Sequence, residues 1–267
     1  MDVYNLVSFA GLFVLMGVGW LLSADRKRMN WRAVGWGVGL QLALGMLVFW
    51  APGSREFFYR LNDVVVALLR SAQKGQEFLF GPLASQEAMD GVFGPGQGFV
   101  LGLQALPVII FFAALMGLLY HWRIMPLVIR GFAWVFTRLM RISGAESLCT
   151  ASNIFVGIES ATTVRPFLAA MTRSEFCTIL TAGMATVASS TLAVYVHMLH
   201  GQFPTIAGHL ISASILSAPA AIVFSKILLP EEAQPVTLGR SVRPHIEPSQ
   251  GAIDAVINGA MAGVKLV

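Results

Sequence analysis

Within a strongly apolar chain, the stretch Asn153-Ile-Phe-Val-Gly157-Ile158-Glu159-Ser-Ala-Thr-Thr-Val-Arg165-Pro166 holds both a carboxylate and a guanidinium. A charged group at bilayer depth costs at least about 2.5–3.5 kcal/mol, so it persists where it faces a cavity, a partner or a substrate. Helix formers thin out here, and Gly157, Pro166, Ser152, Ser160, Thr162 and Thr163 take their place. That composition predicts a broken or re-entrant segment, whose freed backbone groups are tolerable only where protein or water satisfies them. Transporters build substrate and ion sites from such broken helices.

Other chemistries are weaker. Glu159 with His197, His200 and His209 offers metal-ligating residue types, since imidazole is a common zinc ligand. His197 and His200, however, stand near the outer end of a span with no His-Glu-x-x-His pattern, and read as satisfied or interfacial histidines. No Gly-x-Ser-x-Gly elbow is present for a serine hydrolase. The chain is expected not to be an enzyme; an intramembrane enzyme, or a membrane scaffold or fragment that does not transport, is the alternative.

The elements that must position these residues follow from composition. Of 267 residues, 56% are hydrophobic and 12% charged, with mean hydropathy +0.70; soluble domains carry about 25% charged residues. The length accommodates several spans of about 20 residues each. The net charge of +4 comes from basic residues in loops between apolar stretches, so no nucleic-acid partner is expected. Cys149 and Cys177 lie in or beside apolar segments and read as buried small hydrophobes. Met1–Asn5 lacks a basic n-region and precedes an apolar run long enough to span, which argues against a cleavable signal peptide.

Apolar runs predict spans at about Leu6–Ser23, Ala33–Trp50, Phe99–Tyr120, Glu175–Leu199 and Ile206–Leu229, with Trp50 as an interfacial anchor. Arg55–Arg70 reads as an amphipathic helix with Phe57, Phe58, Leu61, Val65 and Leu68 on its apolar side, followed by a Gly/Pro-rich loop at Gly81–Gly98. His121–Arg141 reads as a second one, its stripe being Ile124, Leu127/Val128, Phe132, Val135 and Leu139. Arg123, Arg130, Arg138 and Arg141 lie on its other side, suited to anionic lipid headgroups. Ser143–Met171 is too polar for a plain span and fits a helical hairpin that enters and leaves on one side. The hydroxyls and small residues of Glu175–Leu199 suit close helix approach and a polar cavity wall. A Pro-rich tail, Pro230–Pro248, leads to an amphipathic start at Ala252–Val267.

Loop charge sets the orientation. Arg26–Arg28 with Arg32, His121–Arg141, and the tail bearing Lys226, Arg240 and Arg243 belong in the cytoplasm, and Pro52–Gly98 outside. An external N-terminus, five spans and one hairpin entering from the cytoplasm satisfy every loop.

Asn153-Ile-Phe-Val-Gly, then Glu159-Ser and Val164-Arg-Pro-Phe-Leu168, resembles the first re-entrant hairpin of the concentrative nucleoside transporters. Thr181-Ala-Gly-Met-Ala-Thr-Val-Ala-Ser189, Ser214-Ile-Leu-Ser-Ala-Pro-Ala220 and Gly259-Ala-Met-Ala-Gly-Val-Lys-Leu266 match later landmarks of that family, in order. The resemblance implies sodium-coupled nucleoside uptake by a homotrimer in a bacterial inner membrane. It implies that the Glu159 carboxylate holds the ribose hydroxyls, with Gly157, Ile158 and Thr191 around the nucleoside. It further implies that Asn153, Val156, Thr186 and Val187 supply sodium ligands. An ionised carboxylate accepts two hydroxyl donors, a pattern suited to a cis-diol. In this chain Ile158 alone stands where the family has Gln-Thr, Ala161 stands for a Pro, and Thr191 for a Val, all bearing on base recognition. Arg165 is expected to pair or cap near the interface.

The expected protein is an all-α integral membrane protein with about five transmembrane helices, two interfacial amphipathic helices and one re-entrant hairpin. Residues 1–120 form scaffold-like helices, 121–229 the gate or transport region with its hairpin at 143–171, and 230–267 a cytoplasmic tail and the start of a second half. The family pattern continues past Gly259–Leu266, so these residues are expected to hold one half of the site. Sodium is the expected coupling ion, with no other cofactor; the expected partners are nucleoside, membrane lipid and further copies of the chain.

Overall fold

A computed structural model describes residues 3–50, 53–94, 97–245 and 249–267, and no strand occurs among them beyond an isolated bridge between Ser143 and Leu238. The α-helices are α1 (Val3–Leu21), α2 (Trp31–Trp50), α3 (Ser54–Phe80), α4 (Gln86–Phe93), α5 (Leu106–His121), α6 (Ile124–Met140), α7 (Gly144–Val156), α8 (Arg173–Ala185), α9 (Ser189–Leu199), α10 (Ile206–Leu228) and α11 (Ala252–Leu266). A π-turn, Leu101–Ala105, leads into α5, and a 3-10 helix, Gly157–Ala170, follows α7. Among the described residues four stretches are long and apolar enough to cross a membrane: Trp31–Val48, Leu101–His121, Arg173–Leu199 and Ile206–Leu228; Phe9–Leu21 is a shorter apolar helix.

Two compact units interleave along the chain. The first comprises Met1–Met46, Ile129–Thr186 and Ser214–His245. Its centre is α7, in which every residue from Gly144 to Ile154 is buried. The 3-10 arm and α8 both pack on α7. Ile129, Phe136 and Met140 from α6 and Ile222 and Val223 from α10 extend this core. A Cβ at Gly37 of α2 would strike the side chains of Val223 and Met140, so close helix approach requires glycine there.

The second unit comprises Leu47–Val128, Val187–Ala213 and Ile246–Val267. Its core joins Val65 and Leu69 of α3, Val108 and Phe112 of α5, Leu192, Ala193 and Val196 of α9, and Ala207 of α10. α5 and α11 lie with backbones nearly touching. A Cβ on Gly117 would sit 2.5 Å from the Ala255 carbonyl oxygen, one on Gly259 2.6 Å from that of Ala113, and one on Gly263 2.8 Å from Cα of Ile110. Small residues four apart on both helices are what permit this approach.

Several expectations shift. α3 runs ten residues past Arg70, and the expected Gly/Pro loop contains α4, whose Ser85 side chain caps the Ala88 amide. α3 buries Asn62, Val65, Val66, Leu69, Ala72 and Gln76, leaving Phe57 exposed. α6 buries Ile129, Ala133, Phe136, Thr137 and Met140, while Ile124, Leu127 and Val128 are exposed. In α3 the buried face takes in Val65 of the expected stripe, with Leu68 packed against the same core; in α6 it lies beside the expected stripe, because an apolar face turned to lipid looks the same in sequence as one turned to protein. Glu175–Leu199 is not one helix: it ends at Ala185, takes extended backbone at Thr186 and restarts at Ser189.

Candidate ion and substrate site

The chemistry-bearing stretch is built upward from a base. Ser143 and Glu146 form a reciprocal capping box that starts α7, with Glu146 Oε1 accepting from the Ser143 amide at 2.8 Å. Thr172 and Glu175 do the same for α8. Such boxes satisfy amides that the first turn leaves orphaned.

Lys226 of α10 joins the two starts. Only 3% of its side chain is exposed; its Nζ lies 2.8 Å from Glu146 Oε2, 3.6 Å from Glu231 Oε2, and donates to Ser174 Oγ at 3.0 Å. The Glu146 contact is an ion pair rather than a directional hydrogen bond, since Oε2 meets no hydrogen-bond geometry. Thr172 Oγ1 donates to Glu231 Oε2 at 3.0 Å, Ser174 Oγ to the Leu229 carbonyl at 2.7 Å, and Thr178 and Ser225 pair at 2.9 Å. Sequence reasoning placed Lys226 on the cytoplasmic tail; it is instead a buried cation inside α10. The signal was present as a lysine within an apolar run and a Ser-x-x-Glu box.

From this shared base, α7 and α8 pack side by side, and each is 13 residues long. At 1.5 Å per residue each rises about 20 Å, too short to cross a hydrocarbon core of about 30 Å. Both therefore stop at a similar depth, α7 at Val156 and α8 at Ala185.

At the first stop Gly157 takes φ 77 and ψ −154, a conformation for which glycine alone is at ease, while its amide still donates to the Asn153 carbonyl. The freed Ile154 carbonyl accepts from Ser214 Oγ of α10 at 3.1 Å. In the 3-10 arm Thr163 Oγ1 donates to the Ser160 carbonyl at 2.6 Å, and Cys149 Sγ lies 3.3 Å from Ser160 Oγ. At the second stop the Thr186 amide and hydroxyl both donate to the Ala182 carbonyl, at 3.2 and 2.9 Å. The hydroxyl oxygen keeps its lone pairs.

Among the described residues two buried amide side chains, Gln76 of α3 and Asn153 of α7, have neither polar atom partnered, and Asn153 is the one in the chemistry-bearing stretch. Its side chain is 1% exposed, yet neither Oδ1 nor Nδ2 has a hydrogen-bond partner among the described residues. An unsatisfied buried amide costs about 1–3 kcal/mol, so one retained a turn before a helix break suggests a ligand-facing group. Val156 is half-buried and Gly157 buried. Asn153, Val156, Gly157 and Thr186 belong to the first unit; Val187 and Thr191 belong to the second, half-buried and exposed respectively. The side chains of Ile158 and Glu159 lie outside the described residues; their backbone is part of the 3-10 arm. Arg165 is exposed and makes no ion pair among the described residues. Cys149 is buried and Cys177 half-buried, both free thiols.

The donor set suits a hard monovalent cation. Oxygen from an amide, a hydroxyl and the last carbonyls of two helices is available, and helix C-termini carry partial negative charge. Among the described residues no group of three His, Cys, Asp or Glu converges as a transition metal would need.

Sequence and fold together define the class. The pattern described as "Na+ dependent nucleoside transporter N-terminus" matches residues 10–83, "Nucleoside recognition" matches 102–201, and "Na+ dependent nucleoside transporter C-terminus" matches 209–267. The nucleoside permease NupC of Helicobacter pylori is 35% identical over 263 residues, covering 98% of this chain and 60% of that protein. Sodium/nucleoside cotransporter 1 of Homo sapiens is 34% identical over 265 residues, covering 98% of this chain and 38% of that protein. CNTnw in an inward-facing substrate-bound state aligns with TM-score 0.87 at 37% identity, over 98% of this chain and 60% of that one. A CNTnw variant in an outward-facing state aligns with TM-score 0.88 at 36% identity, over 99% and 60%.

The chain belongs to the concentrative, sodium-dependent nucleoside transporter family: it is a membrane protein, and its relatives are transporters rather than enzymes. It spans about 60% of the length of the bacterial relative it matches.

Proposed function

We propose that this chain carries part of the machinery for sodium-coupled uptake of nucleosides across a bacterial inner membrane. The observation that carries the reading is Asn153, buried and unpartnered among the described residues, one turn before the Gly157 break in a helix packed against α8. In this reading Asn153, Val156 and Thr186 offer sodium ligands, joined by resemblance by Val187. Glu159 holds the ribose hydroxyls, with Gly157, Ile158 and Thr191 around the nucleoside. Ile158 in place of Gln-Thr leaves base recognition to other groups.

The same reading takes the Ser143–Met171 region as a re-entrant hairpin among five spans, with the N-terminus outside and α6 against lipid headgroups. Residues 1–120 act as scaffold, 121–229 as the transport region and 230–267 as tail and start of a second half, in a homotrimer. These residues furnish one wall of the site, and concentrative uptake needs the remaining length that the relatives possess.

Replacing Glu159 tests the assignment. In a full-length version Glu159→Gln keeps shape but loses ionised acceptor capacity, worth about 1.5–3 kcal/mol, so nucleoside affinity should fall about tenfold or more. Unchanged affinity by calorimetric titration in sodium buffer would sink the site.

A further inference from the structure

We propose that the cavity at the base of the first unit seats the phosphate of an anionic phospholipid headgroup. This cavity, about 590 Å³, is lined by Arg32 of α2, by Trp134, Arg138 and Arg141 at the end of α6, and by the strap from Pro235 to Ser241. Its size falls within the range of about 300–1,000 Å³ usual for small-ligand sites. None of the three arginines takes part in an ion pair among the described residues. The lining contains one carboxylate, Glu231, and that group is engaged elsewhere: by Lys226, by Thr172 Oγ1, and by the Ala233 amide at 3.4 Å. The cavity thus keeps uncompensated positive charge. Guanidinium groups match phosphate oxygens with paired donors.

Arg141 follows α6 at φ 51, a left-handed position that Arg123 also takes at φ 60, so a glycine there relieves backbone cost while removing the guanidinium. The exposed tryptophans point to the source of the phosphate: Trp134 in the lining is 61% exposed, and Trp31, next to Arg32 in sequence, is exposed as well. Exposed tryptophans next to basic residues mark headgroup depth. The proposal does not rest on the nucleoside reading.

The test uses the purified chain in detergent, with bound lipid counted by native mass spectrometry and thermal stability measured with added phosphatidylglycerol or phosphatidylcholine. Phosphatidylglycerol should stay bound and raise the midpoint, and phosphatidylcholine should do neither. Arg138→Gln with Arg141→Gln should weaken retention about tenfold or more, as loss of charged hydrogen bonds implies. Arg123→Gln with Arg243→Gln, the same charge change at residues that do not line the cavity, should leave it intact. Arg141→Gly should raise stability without lipid yet lose the lipid response, a pairing that a purely structural arginine would not give. The proposal fails if the cavity variant retains phosphatidylglycerol, if the control loses it equally, or if inorganic phosphate alone reproduces the stabilisation.

Discussion

Lys226 has more consequence for the folded chain than its single charge suggests, because the starts of α7 and α8 both converge on it. Glu146, 1% exposed, has Lys226 as its counter-charge, and removing one partner of a buried pair typically costs about 3–5 kcal/mol. Lys226→Met should therefore lower the thermal midpoint sharply, whereas breaking the exposed Arg60–Glu56 pair with Arg60→Ala should barely move it. Equal, small shifts in the two variants would mean that the base cluster does not anchor the starts of α7 and α8. Among single residues, legibility followed rarity. Gly157 and Glu159 stand out because polar and helix-breaking types are scarce in an apolar frame, whereas Asn153 enters through the family resemblance. Lys226 was read as a loop residue because positive charge near a span end ordinarily marks the cytoplasmic side, and the carboxylate that neutralises it lies 80 positions earlier.

At the scale of elements, α5 and α11 are held by glycine spacing rather than by large side chains. Gly259→Val should force the pair apart and cost about 1–3 kcal/mol by overpacking, whereas Asn258→Val on the exposed side should be near neutral. Comparing their unfolding midpoints checks this; a neutral Gly259→Val would show that the close approach is not required. Helix positions were largely legible from hydropathy, since α2, α10 and α11 start and end within a few residues of expectation. The buried face of α6 was not, because lipid and protein select similar side chains. The break at Thr186–Ala188 left no mark either: Thr, Val and Ala carry neither Gly nor Pro, and mean hydropathy runs straight through it.

At the scale of the whole molecule, orientation is open to a direct check. With Cys149 and Cys177 replaced, single cysteines at Lys27 and Gln86, both exposed, should react differently with an impermeant thiol reagent added outside. Position 86 should label and position 27 should not; the reverse pattern would invert the topology and move the arginine cavity to the outer face. As proposed, Asn153, buried and unpaired before the Gly157 break, and Thr186 at the end of α8 belong to the cation-binding part of a nucleoside transporter. Uptake of radiolabelled nucleoside into vesicles bearing a full-length version tests it most directly, with imposed sodium and proton gradients compared. Accumulation should follow the inward sodium gradient, and Asn153→Ala should weaken its sodium dependence. Accumulation driven by a proton gradient in sodium-free buffer, with the same sodium response in Asn153→Ala, would contradict it.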